Sequence, residues 1–242
     1  MRPDSTESST ERVQRLRITF ACDDAVKYIS HLDLMRVWER VMRRAHVPVV
    51  YSQGFSPHPR IAMAAPLAVG VSSEAELLDV VLHARVRFDE ISAAIEAQLP
   101  AGLRIVAVDE LPMGLASLQS LTRTASYEVE VEDGRAASEW QSAIDGLLAK
   151  QTLPWEHTRG EKLKRYDLRH LIHEIELRKI GDGRATLFMR LGNDEKGSGR
   201  PEQVARALGV SEEPLRMHRT ALELEIPSLA RAAARAAGYD RR

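Results

Sequence analysis

Tyr51-Ser52-Gln53-Gly54-Phe55-Ser56-Pro57-His58-Pro59-Arg60 is where the hydrophobic pattern of the chain changes its period. Gly54 permits a positive φ, and the two prolines hold Ser56 and His58 in extended geometry. Before this stretch the spacing is helical. Leu34, Met35, Trp38, Val41, Met42 and Ala45 fall on one face, while Arg36, Arg40, Arg43 and Arg44 fall on the other. Ser30, three residues ahead of Asp33, is a capping box for the start of that helix, and Pro48 stops it. Val49-Val50-Tyr51 and Ile61-Ala62-Met63-Ala64 then read as extended segments on either side of the loop. A helix therefore precedes the loop, and a strand follows it.

Working outward, Arg15-Leu16-Arg17-Ile18-Thr19-Phe20 alternates as a half-buried strand does. Leu77-Leu78-Asp79-Val80-Val81-Leu82 predicts another strand. Phe88, Ile91, Ile95 and Leu99 predict a second amphipathic helix, stopped by Pro100-Ala101-Gly102, and Leu103 to Val108 closes the set. Strand, helix, strand, strand, helix, strand is the ferredoxin-like order. The order recurs downstream. Tyr127, Val129 and Val131 mark a strand, and Trp140, Ile144, Leu147 and Leu148 a helix. Leu171, His173, Ile175 and Leu177 alternate, and Gly181-Asp182-Gly183 turns the chain into Ala185 to Met189. Pro201 opens a helix that Gly209 stops, and Leu215 begins a last strand towards Ile226. The expectation is an α+β protein of two tandem ferredoxin-like (βαββαβ) units, with antiparallel sheets and helices on one face. The units are placed at residues 13–114 and 122–227, joined between Pro112 and Thr124. A disordered leader (1–12) and an Ala/Arg-rich tail (228–242), capped by Ser228 and carrying Arg231 and Arg235, flank them.

Composition bounds the function. The chain is 44% hydrophobic and 29% charged, ordinary for a globular protein, and its formal net charge is -1. Any basic surface must be local. One cysteine, Cys22, excludes an intrachain disulfide and a cysteine-rich zinc site. No apolar run approaches the ~20 residues of a membrane-spanning helix. Met1 to Glu11 lacks the apolar core of a signal peptide, so the expected location is cytoplasmic.

Three groups of residues invite chemistry. Arg36, Arg40, Arg43 and Arg44, opposed only by Asp33 and Glu39, make a basic helix face to which the loop adds Arg60. Arginine forks pair bidentately with phosphate, although a solvated helix face competes as an explanation. Second, His31 in the first helical turn and His58 between prolines, with Tyr51 or Ser52 nearby, are acid and base candidates for attack by a ribose 2′-hydroxyl. The competing role for both histidines is to hold the loop's shape. His31, Asp33 and His58 have no diagnostic metal spacing, and neither a metal nor a cofactor is expected. Third, Lys162, Lys164, Arg165 and Arg169 surround Tyr166, and the mixture of cations with aromatic groups, Phe55 included, suits single-stranded RNA. There a hairpin linker competes, and the strand after it is expected to send His170 and His173 to opposite faces. Gly192 to Pro201 has no Gly-Lys-Ser/Thr ending and reads as a flexible loop.

Ile29-Ser30-His31-Leu32-Asp33, Arg43-Arg44-Ala45 and the Tyr51 to Arg60 stretch resemble the radical-SAM-linked protein family. So do Pro66 to Gly70, Tyr166-Asp167-Leu168-Arg169, Arg200-Pro201 and Arg219-Thr220. The likeness runs from Arg15 to Ile226. It implies a domain that stands alone or is fused behind a radical SAM enzyme, with any radical chemistry belonging to a partner. It also implies an association with a separate radical SAM enzyme or a ribonuclease, and assigns no catalytic residue. The resulting expectation is an RNA-binding accessory protein in RNA maturation or modification. A metal-independent endoribonuclease using His31 and His58, or a docking module for a radical SAM enzyme, are the alternatives.

Overall fold

Leu16, Ile18 and Phe20 are fully buried along β1 (Gln14–Cys22), the strand on which the first unit is assembled. The computed structural model describes residues 11–159, 162–194 and 197–226, so the tail expected from sequence, and the expected leader apart from Glu11 and Arg12, lie outside the described residues. The fold is mixed α+β, with helices and a large, mostly antiparallel sheet. The chain divides into two units. One comprises residues up to Pro66 and Glu76–Gln119, the other Leu67–Ala75 and Ser120–Glu225.

In the first unit β1 is followed by α1 (His31–Arg44), β2 (Ile61–Met63), β3 (Val71–Leu82), α2 (Phe88–Glu96) and β4 (Leu103–Leu111). Strands pair in the order β4-β1-β3, and β2 pairs antiparallel with β3. Helix α1 buries Leu34, Trp38, Val41 and Met42, and the Trp38 ring meets Phe20 edge-on at 4.8 Å. Its start follows the sequence. The Ser30 hydroxyl accepts from the Asp33 amide and donates to the Asp33 carboxylate, 2.7 Å away. Its end does not depend on Pro48 alone. His46 takes φ 53°, its amide donates to the Arg43 carbonyl, and the Val47 amide reaches back to Met42. That is a Schellman closure with histidine in the left-handed place.

The second unit contains β5 (Thr122–Glu132), α4 (Ala137–Leu148), β6 (Pro154–Arg159), β7 (Lys162–Asp167), β8 (Ile172–Gly181), β9 (Arg184–Asp194), β10 (Gly197–Ser198), α5 (Pro201–Ala207) and β11 (Arg216–Leu224). A short α3 (Leu118–Leu121) lies at the division. Strands β8, β9, β5 and β11 pair antiparallel in that order, and Val71 to Ser73 adds in parallel to β11. Val129, Leu187, Trp140 and Ile144 fill the core, and the Arg135 guanidinium lies over the Trp140 ring at 3.9 Å.

Several elements depart from expectation for local reasons. The strand placed at Leu77 begins at Val71. Val49 and Tyr51 make only isolated bridges, to Leu82 and Pro59, because the loop consumes the residues between them and β2. Phe88 opens α2 largely exposed, while Ile91 and Ile95 carry its buried face. In β8 the register shifts between Ile172 and Glu174, which buries Ile172 and Ile175 and exposes His173, breaking the simple alternation. The basic stretch after Lys162 pairs antiparallel with β6 as a two-stranded sheet of its own; β6 itself was not placed from sequence.

Candidate nucleic-acid interface

The Tyr51 to Arg60 loop is a narrow protrusion held at its root by backbone bonds. The Ser52 amide donates to the His58 carbonyl at 2.8 Å, the Arg60 amide to Val50 at 2.8 Å, and the His58 amide to the Ser52 hydroxyl at 2.9 Å. Gly54 holds φ 129° at the tip, where a β-carbon would meet nothing within 4 Å. Next to it the Phe55 side chain is fully exposed, at 111% of its reference area, and Tyr51 is exposed at 42%. Tyr28 and Leu32 are likewise exposed, at 73% and 68%.

On α1 the four arginines differ. Arg36 pairs with Asp33 at 3.0 Å, and Arg40 donates to the Arg36 carbonyl. The Ser30 hydroxyl, followed by Arg36, holds the Asp33 carboxyl below its ordinary range. Arg43 and Arg44 in the last turn are exposed and meet no carboxylate among the described residues, and neither does Arg60 at the end of the loop. Their position at a helix C-terminus also favours cations through the dipole.

His31 is the first residue of α1, and its ring is partly covered. His58 is exposed and no hydrogen bond or ion pair engages its ring among the described residues. No cluster of three or more His, Cys, Asp or Glu suited to a metal ion occurs among the described residues.

The sequence reading missed a buried charge centre in this unit. Asp79 on β3 receives Arg17 through Nε at 2.7 Å and a second nitrogen at 3.0 Å, and Arg15 at 2.7 Å. Side-chain exposures are 4% for Asp79, 10% for Arg15 and 8% for Arg17. Arg15 also donates to the Leu115 and Ala116 carbonyls, which tie the segment before α3 across it. The half-buried strand expected at Arg15 to Phe20 is instead covered on both faces. The available signal was Asp79 inside an apolar run, facing a strand with arginines two residues apart.

In the second unit a cavity of about 910 Å³ is lined by Lys164, Arg165, Tyr166, His170, His173 and Arg200, among others. His170 and His173 share it, contrary to the opposite-face expectation, because His170 sits on a 3-10 turn (Arg169–Leu171) before β8 begins. Its Nε2 lies 3.2 Å from Asp167. The Leu153 and Arg169 amides hold the Asp167 carboxyl below its usual range. Burial pushes the Tyr166 phenol up, against the opposing effect of its hydrogen bond to Gln203. Lys164 is exposed, and Arg165 pairs with Glu156 at 2.6 Å. Arg169 is committed elsewhere: its guanidinium donates to the carbonyls of Leu148, Lys150 and Ile172, closing the end of α4. The Lys162 side chain lies outside the described residues. Among the described residues, no helix is long and apolar enough to cross a membrane.

Residues 15–201 match a family described as an uncharacterized protein conserved in bacteria (DUF2344). No curated protein matches. Among solved structures, similarity is found to a Cbf5–Nop10–Gar1 complex, with 9% identity, a TM-score of 0.48, and coverage of 86% of this chain and 48% of that one. An archaeal box H/ACA sRNP Nop10–Cbf5 complex gives 9% identity, a TM-score of 0.43, and coverage of 90% and 52%. An H/ACA RNP bound to a substrate RNA containing 2′-deoxyuridine gives 9%, 0.41, 84% and 46%. The chain spans about half the length of these solved chains, and at such scores the likeness carries nothing about function. None of these comparisons links the chain to a radical SAM enzyme.

Proposed function

We propose that this chain, which belongs to that family of uncharacterized proteins conserved in bacteria, binds single-stranded RNA through its first unit. One observation carries the reading. Arg43, Arg44 and Arg60 stand without carboxylate partners among the described residues, while a rigid loop in the same unit presents Phe55 fully exposed. Cations that track phosphates and an aromatic face on which a base stacks are the two components of single-strand recognition. Arg36 and Arg40 extend the same helix face, with Arg36 partly neutralised by Asp33. His58 flanks the tip and can donate to a phosphate or base edge. Lys164 and Arg165 supply a second contact in the other unit.

In this reading each unit is ferredoxin-like, supported by the pairing orders β4-β1-β3-β2 and β11-β5-β9-β8. The protein acts as an accessory in RNA maturation or modification, and chemistry belongs to the radical SAM enzyme or ribonuclease partner that the sequence resemblance implies. Fluorescence anisotropy with a labelled single-stranded RNA, its duplex and the equivalent single-stranded DNA tests the claim. Phe55→Ala is expected to weaken single-stranded RNA binding by about 1–3 kcal/mol, the usual value of one stacked base, and to leave duplex binding unchanged. Unchanged affinity for the single strand in that variant would refute the reading, and tighter binding of the DNA would reassign the ligand.

A further inference from the structure

Three arginines of the first unit line a crevice that holds a single carboxylate. Arg15 and Arg17 both bind Asp79, and a crevice of about 400 Å³ in front of Asp79 is lined by Arg12, Arg15 and Arg60. Asp79 is the one acid among the crevice-lining residues. Arg12 and Arg60 are exposed and meet no carboxylate among the described residues. Asp79 is already shared by Arg15 and Arg17, so the charges of Arg12 and Arg60 on the crevice wall are balanced by no acid among the described lining residues. Such an excess repels itself unless an anion enters. The rest of the wall is apolar, supplied by Ile61, Val81, Met113 and Leu115. Arg60 belongs both to this crevice and to the root of the exposed loop.

We infer that this crevice binds a nucleotide carrying a terminal phosphate, a phosphomonoester, with Arg12 and Arg60 on the phosphate and the apolar wall against the sugar and base. The choice of monoester follows from charge. A phosphomonoester carries about -1.5 to -2 at neutral pH, whereas each diester linkage carries one charge. Two cations without a carboxylate partner, Arg12 and Arg60, beside one small volume match the dianion. Arginine forks also suit a phosphate with three free oxygens, which can accept from two guanidiniums at once. The volume is in the range of small-ligand sites and accommodates one nucleotide, not a duplex. Two sources offer this chemistry, a free nucleotide and the phosphorylated end of an RNA chain. The inference deepens the reading of this unit as an RNA-binding surface and rests on it for the second source. Buried Arg15 and Asp79 fix one wall, since Arg15 is oriented by Asp79 and by two carbonyls, and Arg17 holds Asp79 in turn.

Titration calorimetry on the full chain with adenosine 5′-monophosphate, adenosine and inorganic phosphate is the test, followed by RNA oligomers with 5′-phosphate or 5′-hydroxyl ends. The monophosphate is expected to bind at least 10-fold tighter than adenosine, and Arg12→Gln and Arg60→Gln each to weaken it about 10-fold. Thermal melts of both variants should match the parent, because both side chains are exposed. A 5′-phosphate preference of 10-fold or more in the oligomers assigns the site to an RNA end. Equal oligomer affinity with monophosphate binding retained assigns it to a free nucleotide. Monophosphate no tighter than adenosine, or binding untouched in both variants, would overturn the inference while leaving the RNA surface standing. Monophosphate binding without any RNA binding would keep the crevice and refute the RNA reading.

Discussion

At Phe55 and His58 the proposed binding role and a scaffolding role predict different behaviour. Both lie on the same loop, yet the loop is held by backbone bonds and by Ser52, with neither ring taking part. His58→Ala should therefore leave the melting temperature unchanged, within about 0.5 kcal/mol, as surface substitutions away from special features usually do. The same variant should weaken RNA binding. Gly54→Val behaves oppositely: its β-carbon meets no neighbour, but φ 129° is a region β-branched residues avoid, at a cost of about 1–3 kcal/mol. Melting curves of the two variants side by side check this. A large loss in His58→Ala would make the ring structural, and an unchanged Gly54→Val would mean the loop does not depend on its glycine.

Elements differ in how far the sequence announces them. Helix α1 was legible because its apolar face, its Ser30 cap and its Arg-rich back are all local patterns. The positive φ of Gly54 was legible because glycine acts on the backbone directly. Burial of Arg15 and Arg17 was not, since alternation shows which residues share a face but not what covers it; the cover comes from Leu115 and Ala116, about a hundred residues later. Strand β6 and the turn carrying His170 were missed for a related reason, as Pro154 and a single helical turn leave no periodic trace. The buried charge centre makes a sharp prediction for β1 and β3. Asp79→Ala strands two buried guanidiniums and should cost about 3–5 kcal/mol in urea unfolding. Asp33→Ala, which breaks an exposed pair and one side-chain contact to Ser30, should cost far less than Asp79→Ala in the same unfolding measurement. Equal small losses would show that the arginines find other partners.

At the scale of the whole molecule, a formal charge of -1 hides a local excess of positive charge. Overall attraction to RNA is therefore weak, and affinity must come from a few phosphate contacts whose counterions are released on binding. The number of those contacts is measurable. Equilibrium binding of a single-stranded RNA across a salt series gives a slope of log affinity on log salt of about -0.7 per neutralised phosphate. The account predicts a clear negative slope for the parent chain. It predicts that slope to fall by about 2 in the triple variant Arg43→Gln, Arg44→Gln, Arg60→Gln, since three contacts at about 0.7 each are lost. A salt-independent affinity, or the same slope in parent and triple variant, would contradict it.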